Sequence, residues 1–259
     1  MKTYISAHIM FNKKTAVIEI TLRTQKNIFH GSDTWQEVDF KRLFDPTKTA
    51  ILICDMWDLH WCTISTNRFN QIAHEMSVIV ESARNQGFRI IHSPSDCMGF
   101  YRDLPQRQRM ISLPRVQPPD SLHITDPPLP VDASDDGCED DPSPEPYRAW
   151  THQHDAIRIA EDDLISDNGD EVYSFFVDAG IKDMFIMGVD VNMCILGRTF
   201  AIRQMTNWGI NCVLVRDMTD SMYNPKMPPY VSHDEGTKLV VQHIEKYWCP
   251  SCLSEELLF

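Results

Sequence analysis

Short, uninterrupted apolar runs alternate along the chain with stretches in which apolar residues recur every three or four positions. Ala50 to Cys54, Ala-Ile-Leu-Ile-Cys, is apolar throughout, which predicts a strand buried on both faces of a parallel sheet. Phe69, Ile72, Ala73, Met76, Ile79, Val80 and Ala83 then keep helical spacing, with Gly87 as the stop, and Phe88 to His92 predicts a second strand. The unit repeats downstream. Val172, Phe175, Phe176 and Ala179 form a helical stripe between a cap at Ser166 or Asp167 and a stop at Gly180. Met184 to Val189 predicts a strand, about Met193 to Trp208 a helix, Asn211 to Val215 a strand, and Leu239, Val240, His243 and Ile244 a last helix. Residues 3–10 and 15–22 are β-rich runs around Phe11-Asn12-Lys13-Lys14 and predict an N-terminal hairpin. The expected fold is α/β: a doubly wound, Rossmann-like, mainly parallel sheet with helices on both faces, plus the hairpin.

The pattern lapses between Val116 and Pro146, which hold eight prolines, nine acidic residues and no lysine or arginine. Such a stretch adds little to a core, so residues 116–147 are expected to be an acidic, Pro-rich insertion over one domain spanning 1–259, with 1–46 as a β extension. It reads either as a lid near the active site or as a solvated excursion. The formal charge of −13 argues against nucleic acid or an anionic membrane as partner, because phosphates would be repelled. No segment offers the roughly 18 apolar residues needed to span a bilayer. No export signal is visible, so a cytoplasmic location and reduced thiols are expected for the eight cysteines.

Ligands of open α/β sheets bind beyond the carboxyl ends of the strands, which selects the polar residues worth weighing. Asp55 follows the first strand, His92 and Asp96 the second, Cys194 the strand ending at Val189, and Asp217 and Asp220 the one ending at Val215. Cys194 would sit near a helix N-terminus, where backbone N–H groups favour a thiolate and can hold an oxyanion. Asp55 could take its proton. Taken singly, Cys194 also reads as a buried structural thiol, and Asp55 as a helix cap.

Together the two motifs carry a family resemblance. Thr49-Ala-Ile-Leu-Ile-Cys-Asp55-Met-Trp-Asp58 resembles the first motif of isochorismatase-like, nicotinamidase-related cysteine hydrolases. Gly188-Val-Asp-Val-Asn-Met-Cys194, running on to Val213-Leu-Val-Arg-Asp217, is similar to their nucleophile motif. The likeness covers residues 49–100 and 155–225. It implies Cys194 as nucleophile, Asp55 as its general base in both half-reactions, the backbone N–H groups of Asp190 and Cys194 as an oxyanion hole, and a cis peptide at Val189-Asp190. It implies a small-molecule amide or related C–N or acyl substrate, a thioester on Cys194 and a homo-oligomer.

Two departures shape the expectation. The family's catalytic lysine has no counterpart, since no lysine lies between Lys48 and Lys182; the matching position falls at Glu161, with Arg158 upstream. Metal-binding members carry Asp-x-His after the second strand, whereas Cys97 and Met98 follow Asp96 here. No cofactor is therefore expected, a divalent metal requiring Asp96, His60 and His92 to converge. The missing lysine leaves two alternatives to the thioester hydrolase: a catalytically impaired binding protein of the same fold, and a vinyl ether hydrolase of the isochorismatase type. Trp57, His60 and Trp61 directly follow Asp55 and read either as an aromatic pocket wall, with His60 a second acid/base group, or as packing. Cys249 and Cys252 read as free surface thiols, His152 and His154 as solvated, and one at most of Arg198 and Arg203 as facing the site.

Overall fold

A computed structural model describes residues 17–29 and 31–259. A single eight-stranded sheet organises them in the order β2-β1-β8-β7-β6-β3-β4-β5. Strands β3 (Thr49–Cys54), β4 (Arg89–Ser93), β5 (Leu164–Ile165), β6 (Asp183–Gly188), β7 (Asn211–Thr219) and β8 (Ser251–Cys252) run parallel. β1 (Ile18–Asn27) and β2 (Trp35–Phe44) form an antiparallel hairpin, and β1 pairs antiparallel with β8. The expected N-terminal hairpin is present as β1 and β2; the run 3–10 lies outside the described residues, and the run 15–22 overlaps β1, which extends to Asn27.

The uninterrupted apolar runs are explained by two cores. In β3, Ala50, Leu52 and Cys54 face one layer, while Ile51 and Ile53 face the other; β6 divides likewise, with Met184 and Ile186 opposed to Phe185 and Met187. Helix α1 (Thr63–Gln86) lays Phe69, Ala73, Met76 and Val80 on the second layer and ends at Gly87, whose φ of 99° is the left-handed turn glycine accepts without cost. Two short helices follow β4: α2 (Met98–Tyr101) and α3 (Pro105–Ser112). The first layer is closed by α4 (Gly169–Ala179), α5 (Cys194–Gly197), α6 (Ile202–Asn207) and α7 (His233–Tyr247). Asn168 caps α4, accepting from the Glu171 N–H at 3.1 Å, where Ser166 or Asp167 was expected. The helix expected over 193–208 is broken: Arg198 is extended (φ −64°, ψ 151°), and α6 starts anew at Ile202.

The acidic insertion is anchored rather than loose. A Cys62–Cys138 disulfide ties it to the start of α1, and Asp140 accepts from the N–H groups of Thr63 (2.7 Å) and Ile64 (3.1 Å), capping a helix whose own N-cap supplies no side chain. Glu139 pairs with Arg68, and Asp135 accepts from Asn224 at 2.8 Å. The expectation that all cysteines are reduced is thus corrected for this pair. No helix among the described residues is long and apolar enough to cross a membrane. Because the bond closes a loop 76 residues apart in sequence, Cys62→Ser with Cys138→Ser is expected to cost about 2–4 kcal/mol of stability. Urea midpoints measured with and without a reductant check this; coincident midpoints would count against the anchor.

Candidate active site

Strand geometry brings Asp55 and Cys194 together, although 139 positions separate them in the chain (194 − 55). β3 and β6 are adjacent and in register, so Asp55, just past Cys54, and the turn just past Gly188 emerge at the same rim. Gly188 is required there: a Cβ on it would lie 1.9 Å from the Cys54 carbonyl oxygen, and its φ is 123°. Asp55 itself has a φ of 48°, an uncommon value for a residue with a side chain and one that clusters at functional sites.

The Asp55 carboxylate is fully buried and held on both oxygens. Oδ1 accepts from the Ser95 N–H at 2.7 Å, and Oδ2 from Arg198 Nε at 2.8 Å. Burial raises its pKa above the ordinary carboxylate value, against the Arg198 guanidinium and the Ser95 N–H, which pull it down. Cys194 lies beside Asp55, and burial, Asp55 and Asp190 push its thiol pKa well above the ordinary value, opposed by Arg198. Cys194 therefore rests as a thiol. The expected helix-dipole stabilisation of a thiolate is corrected, because α5 has only four residues, too few to build a macrodipole.

The peptide between Val189 and Asp190 is cis. The Asp190 carbonyl accepts from Met193 and Ile195, each at 3.0 Å, closing the turn on itself. Among the described residues no acceptor takes the N–H of Asp190 or of Cys194, so both are left free to donate. Asn192 locks this turn to the next loop, donating to the Met222 carbonyl (2.8 Å) and accepting its N–H (2.9 Å).

A cavity of about 200 Å³ opens onto Cys194, lined by Trp57, His60, Trp61, Trp150, Arg198 and Asp190 among others, with Asp136 and Pro146 contributed by the insertion. Trp57 stacks on Trp150 with centroids 4.2 Å apart, and His60 lies parallel to Trp150 at 5.9 Å. Trp57, His60 and Trp61 thus share the lining of one cavity. His60 does not carry the expected acid/base character: burial lowers its pKa to about 4, and its Nδ1 accepts from the Cys62 N–H at 3.2 Å. It is a neutral ring at neutral pH.

Several expectations are overturned. Glu161 is not at this rim. β5 begins only at Leu164, so Glu161 precedes the strand instead of ending it, and it lines a cleft with Gly87 and Arg89 at the amino ends. Arg158 is exposed and bound to Glu81 at 2.7 and 2.9 Å. The trio Asp96, His60 and His92 does not assemble a metal site: His92 is buried between Gln153 and Asp163, both at 2.9 Å, while Asp96 is exposed. Among the described residues the one cluster with ligand-like spacing is Cys62, Cys138 and Asp140, whose sulfurs are bonded to each other. Cys249 and Cys252 are buried, not surface thiols. His152 contacts Asp58 and Asp155, each at 3.1 Å, and His154 bonds Asn70 at 2.9 Å, so both are engaged rather than merely solvated.

The sequence left open which of Arg198 and Arg203 faces the site, and it did not single out Trp150 at all. Arg198 reaches Asp55 only because the helix breaks after Gly197, a glycine inside an apparently helical stripe being the available signal. Trp150 arrives from just beyond the insertion, with no periodicity to mark it.

No family model and no curated protein matches the sequence. Solved structures do. A cysteine hydrolase from Pseudomonas syringae pv. phaseolicola 1448A superposes with a TM-score of 0.52 at 14% identity, covering 83% of this chain and 92% of that one. A Burkholderia xenovorans LB400 protein provisionally classed as an isochorismatase gives 0.50 at 10% identity, covering 82% and 86%. An isochorismatase from Pseudomonas putida KT2440 gives 0.49 at 11%, covering 81% and 89%. The chain has the α/β fold of the first two.

Proposed function

We propose that this protein is a cysteine hydrolase that cleaves a small amide or related acyl substrate through a thioester on Cys194. The observation carrying this reading is Cys194 next to a buried Asp55 on the wall of a cavity, in a turn where the backbone N–H groups of Asp190 and Cys194 have no partner among the described residues. Asp55 takes the thiol proton as sulfur adds to the substrate carbonyl, and its raised pKa suits it to that task. The N–H groups of Asp190 and Cys194 hold the oxyanion. The leaving group departs with a proton, and water cleaves the thioester. Arg198 supplies, from a different element, the positive charge beside Asp55 that Glu161 cannot. A cavity of about 200 Å³ admits only a small acyl group, and the Trp57, Trp61 and Trp150 wall suits a flat one.

Labelling tests the nucleophile. Cys194 is the one free thiol among the described residues that is not fully buried. Iodoacetamide is expected to modify Cys194 alone in the native protein, with a rate that keeps rising above pH 9 because the thiol pKa is raised. Equal labelling of Cys54 or Cys212, read by peptide mass mapping, would sink the assignment. Turnover of p-nitrophenyl acetate that survives Cys194→Ala would do the same.

A further inference from the structure

The side chain of Asp190 is the feature of the pocket that the thioester scheme leaves unused. It lines the cavity beside Cys194, is 2% exposed, and its Oδ1 has no hydrogen-bond partner. Its neighbour is a second buried acid. Asp220, in the loop after β7, is joined to the turn by the Val191 N–H, which donates to its carbonyl at 2.7 Å, and its Oδ2 is likewise unpartnered.

His233 lies behind Asp220. His233 points Nε2 at Asp220 Oδ1 (2.7 Å) and Nδ1 at Glu139 Oε1 (2.8 Å) and the Tyr223 carbonyl (3.0 Å). The Tyr223 carbonyl can only accept, so Nδ1 carries a proton, and Nε2 is left facing the Asp220 carboxyl. Burial opposes a charge on the ring, but the hydrogen bond that Nε2 donates to Asp220 favours the imidazolium and raises the His233 pKa. Glu139 is balanced in turn by Arg68. Asp220, His233, Glu139 and Arg68 thus close as two ion pairs, and none of them offers Asp190 a counter-charge. The other groups facing Asp190 are Asp55, Cys54 and Cys194, none of them a cation, and Arg198, already committed to Asp55. Burial, with Asp220 and Asp55 adding to it, holds the Asp190 carboxyl well above the usual range.

We propose that Asp190 is the proton donor of the site, protonating the leaving nitrogen, and that Asp220, held by His233, is the positioning residue that keeps Asp190 in its acid form. This rests on the hydrolase reading above and divides its proton traffic. Asp55, with each oxygen already accepting from a fixed donor, keeps the thiol proton. When the tetrahedral intermediate collapses, the C–N electron pair goes to nitrogen, which takes the Asp190 proton. Water then adds to the thioester carbonyl and gives its proton to the Asp190 carboxylate. The C–S pair returns to sulfur, which recovers the proton from Asp55. One amide and one water become one acid and one amine, and both aspartates end as they began.

Two probes with the same acyl group separate donation from general damage. Hydrolysis of p-nitrophenyl acetate needs no protonated leaving group, whereas p-nitroacetanilide does. Asp190→Asn should slow the anilide by at least about 100-fold and the ester far less. Equal losses on both, or a wild type that cleaves the ester but never the anilide, would overturn the donor role. Absence of any Cys194-dependent ester cleavage would instead remove the hydrolase reading itself, and this proposal with it. Two measurements do not depend on how Asp190→Asn folds. The wild type at pH 7 should show the infrared carbonyl band of a protonated carboxylic acid that shifts in D₂O, and lack of such a band overturns the proposal. In Asp220→Asn, loss of the neighbouring charge should make Asp190 more acidic, moving the alkaline limb of anilide hydrolysis to lower pH; an unmoved limb excludes Asp220.

Discussion

Asp55→Asn is expected to reduce Cys194-dependent hydrolysis on the order of 10³–10⁴-fold while making the same sulfur easier to alkylate. The two effects diverge because they draw on different properties of the pair. Asp55 raises the thiol pKa and Arg198 lowers it. An amide in place of the carboxylate removes the first influence and leaves the second, so the thiolate fraction at neutral pH grows, and alkylation needs nothing else. Turnover also needs somewhere for the thiol proton to go and return from, which asparagine cannot provide. The change is tolerable for the fold: the new side-chain oxygen can still accept from Ser95, and Arg198, one-third exposed, can turn to water. Parallel iodoacetamide rates and single-turnover acylation on one preparation check it. Slower alkylation together with slower turnover would mean that Asp55 is only a scaffold.

Arg198→Ala is expected to move both measurements down. Asp55 is fully buried and loses its only ion-pair partner among the described residues, so its pKa climbs further and it is neutral over more of the working range. The thiol pKa climbs too, since the guanidinium was the group lowering it. Turnover should fall about 10²–10³-fold and alkylation should slow. Stability should drop by about 2 kcal/mol, below the ~3–5 kcal/mol for breaking a fully buried pair, because Arg198 is partly hydrated. Arg198→Lys restores charge without the Nε geometry and should recover the alkylation rate better than the turnover. Urea denaturation and the two rate assays distinguish these outcomes. An alanine variant with wild-type turnover would show that the charge is irrelevant.

The sheet was legible because its strands must be apolar on both faces. The runs at Ala50–Cys54 and Met184–Val189 differ from half-buried strands for a physical reason, the presence of two cores. Asp55 and Cys194 could be paired from the same logic, since strand ends define the rim. What escaped was decided by breaks and by distance along the chain. The 193–208 stripe keeps its apolar period across Arg198, so periodicity alone missed the kink that turns the guanidinium inward. Glu161 precedes β5 instead of ending it, because nothing in the local sequence marks where so short a strand begins. Burial of Asp190 against Asp220 depends on two turns meeting in space. Neither turn alone carries a sign of it.

The Cys62–Cys138 bond brackets a stretch that contains α1, β4, α2, α3 and the proline-rich start of the insertion. A protease reaching the exposed prolines of that stretch would nick the backbone yet release nothing, because both pieces stay joined through sulfur, and Asp136 would keep its place above Cys194.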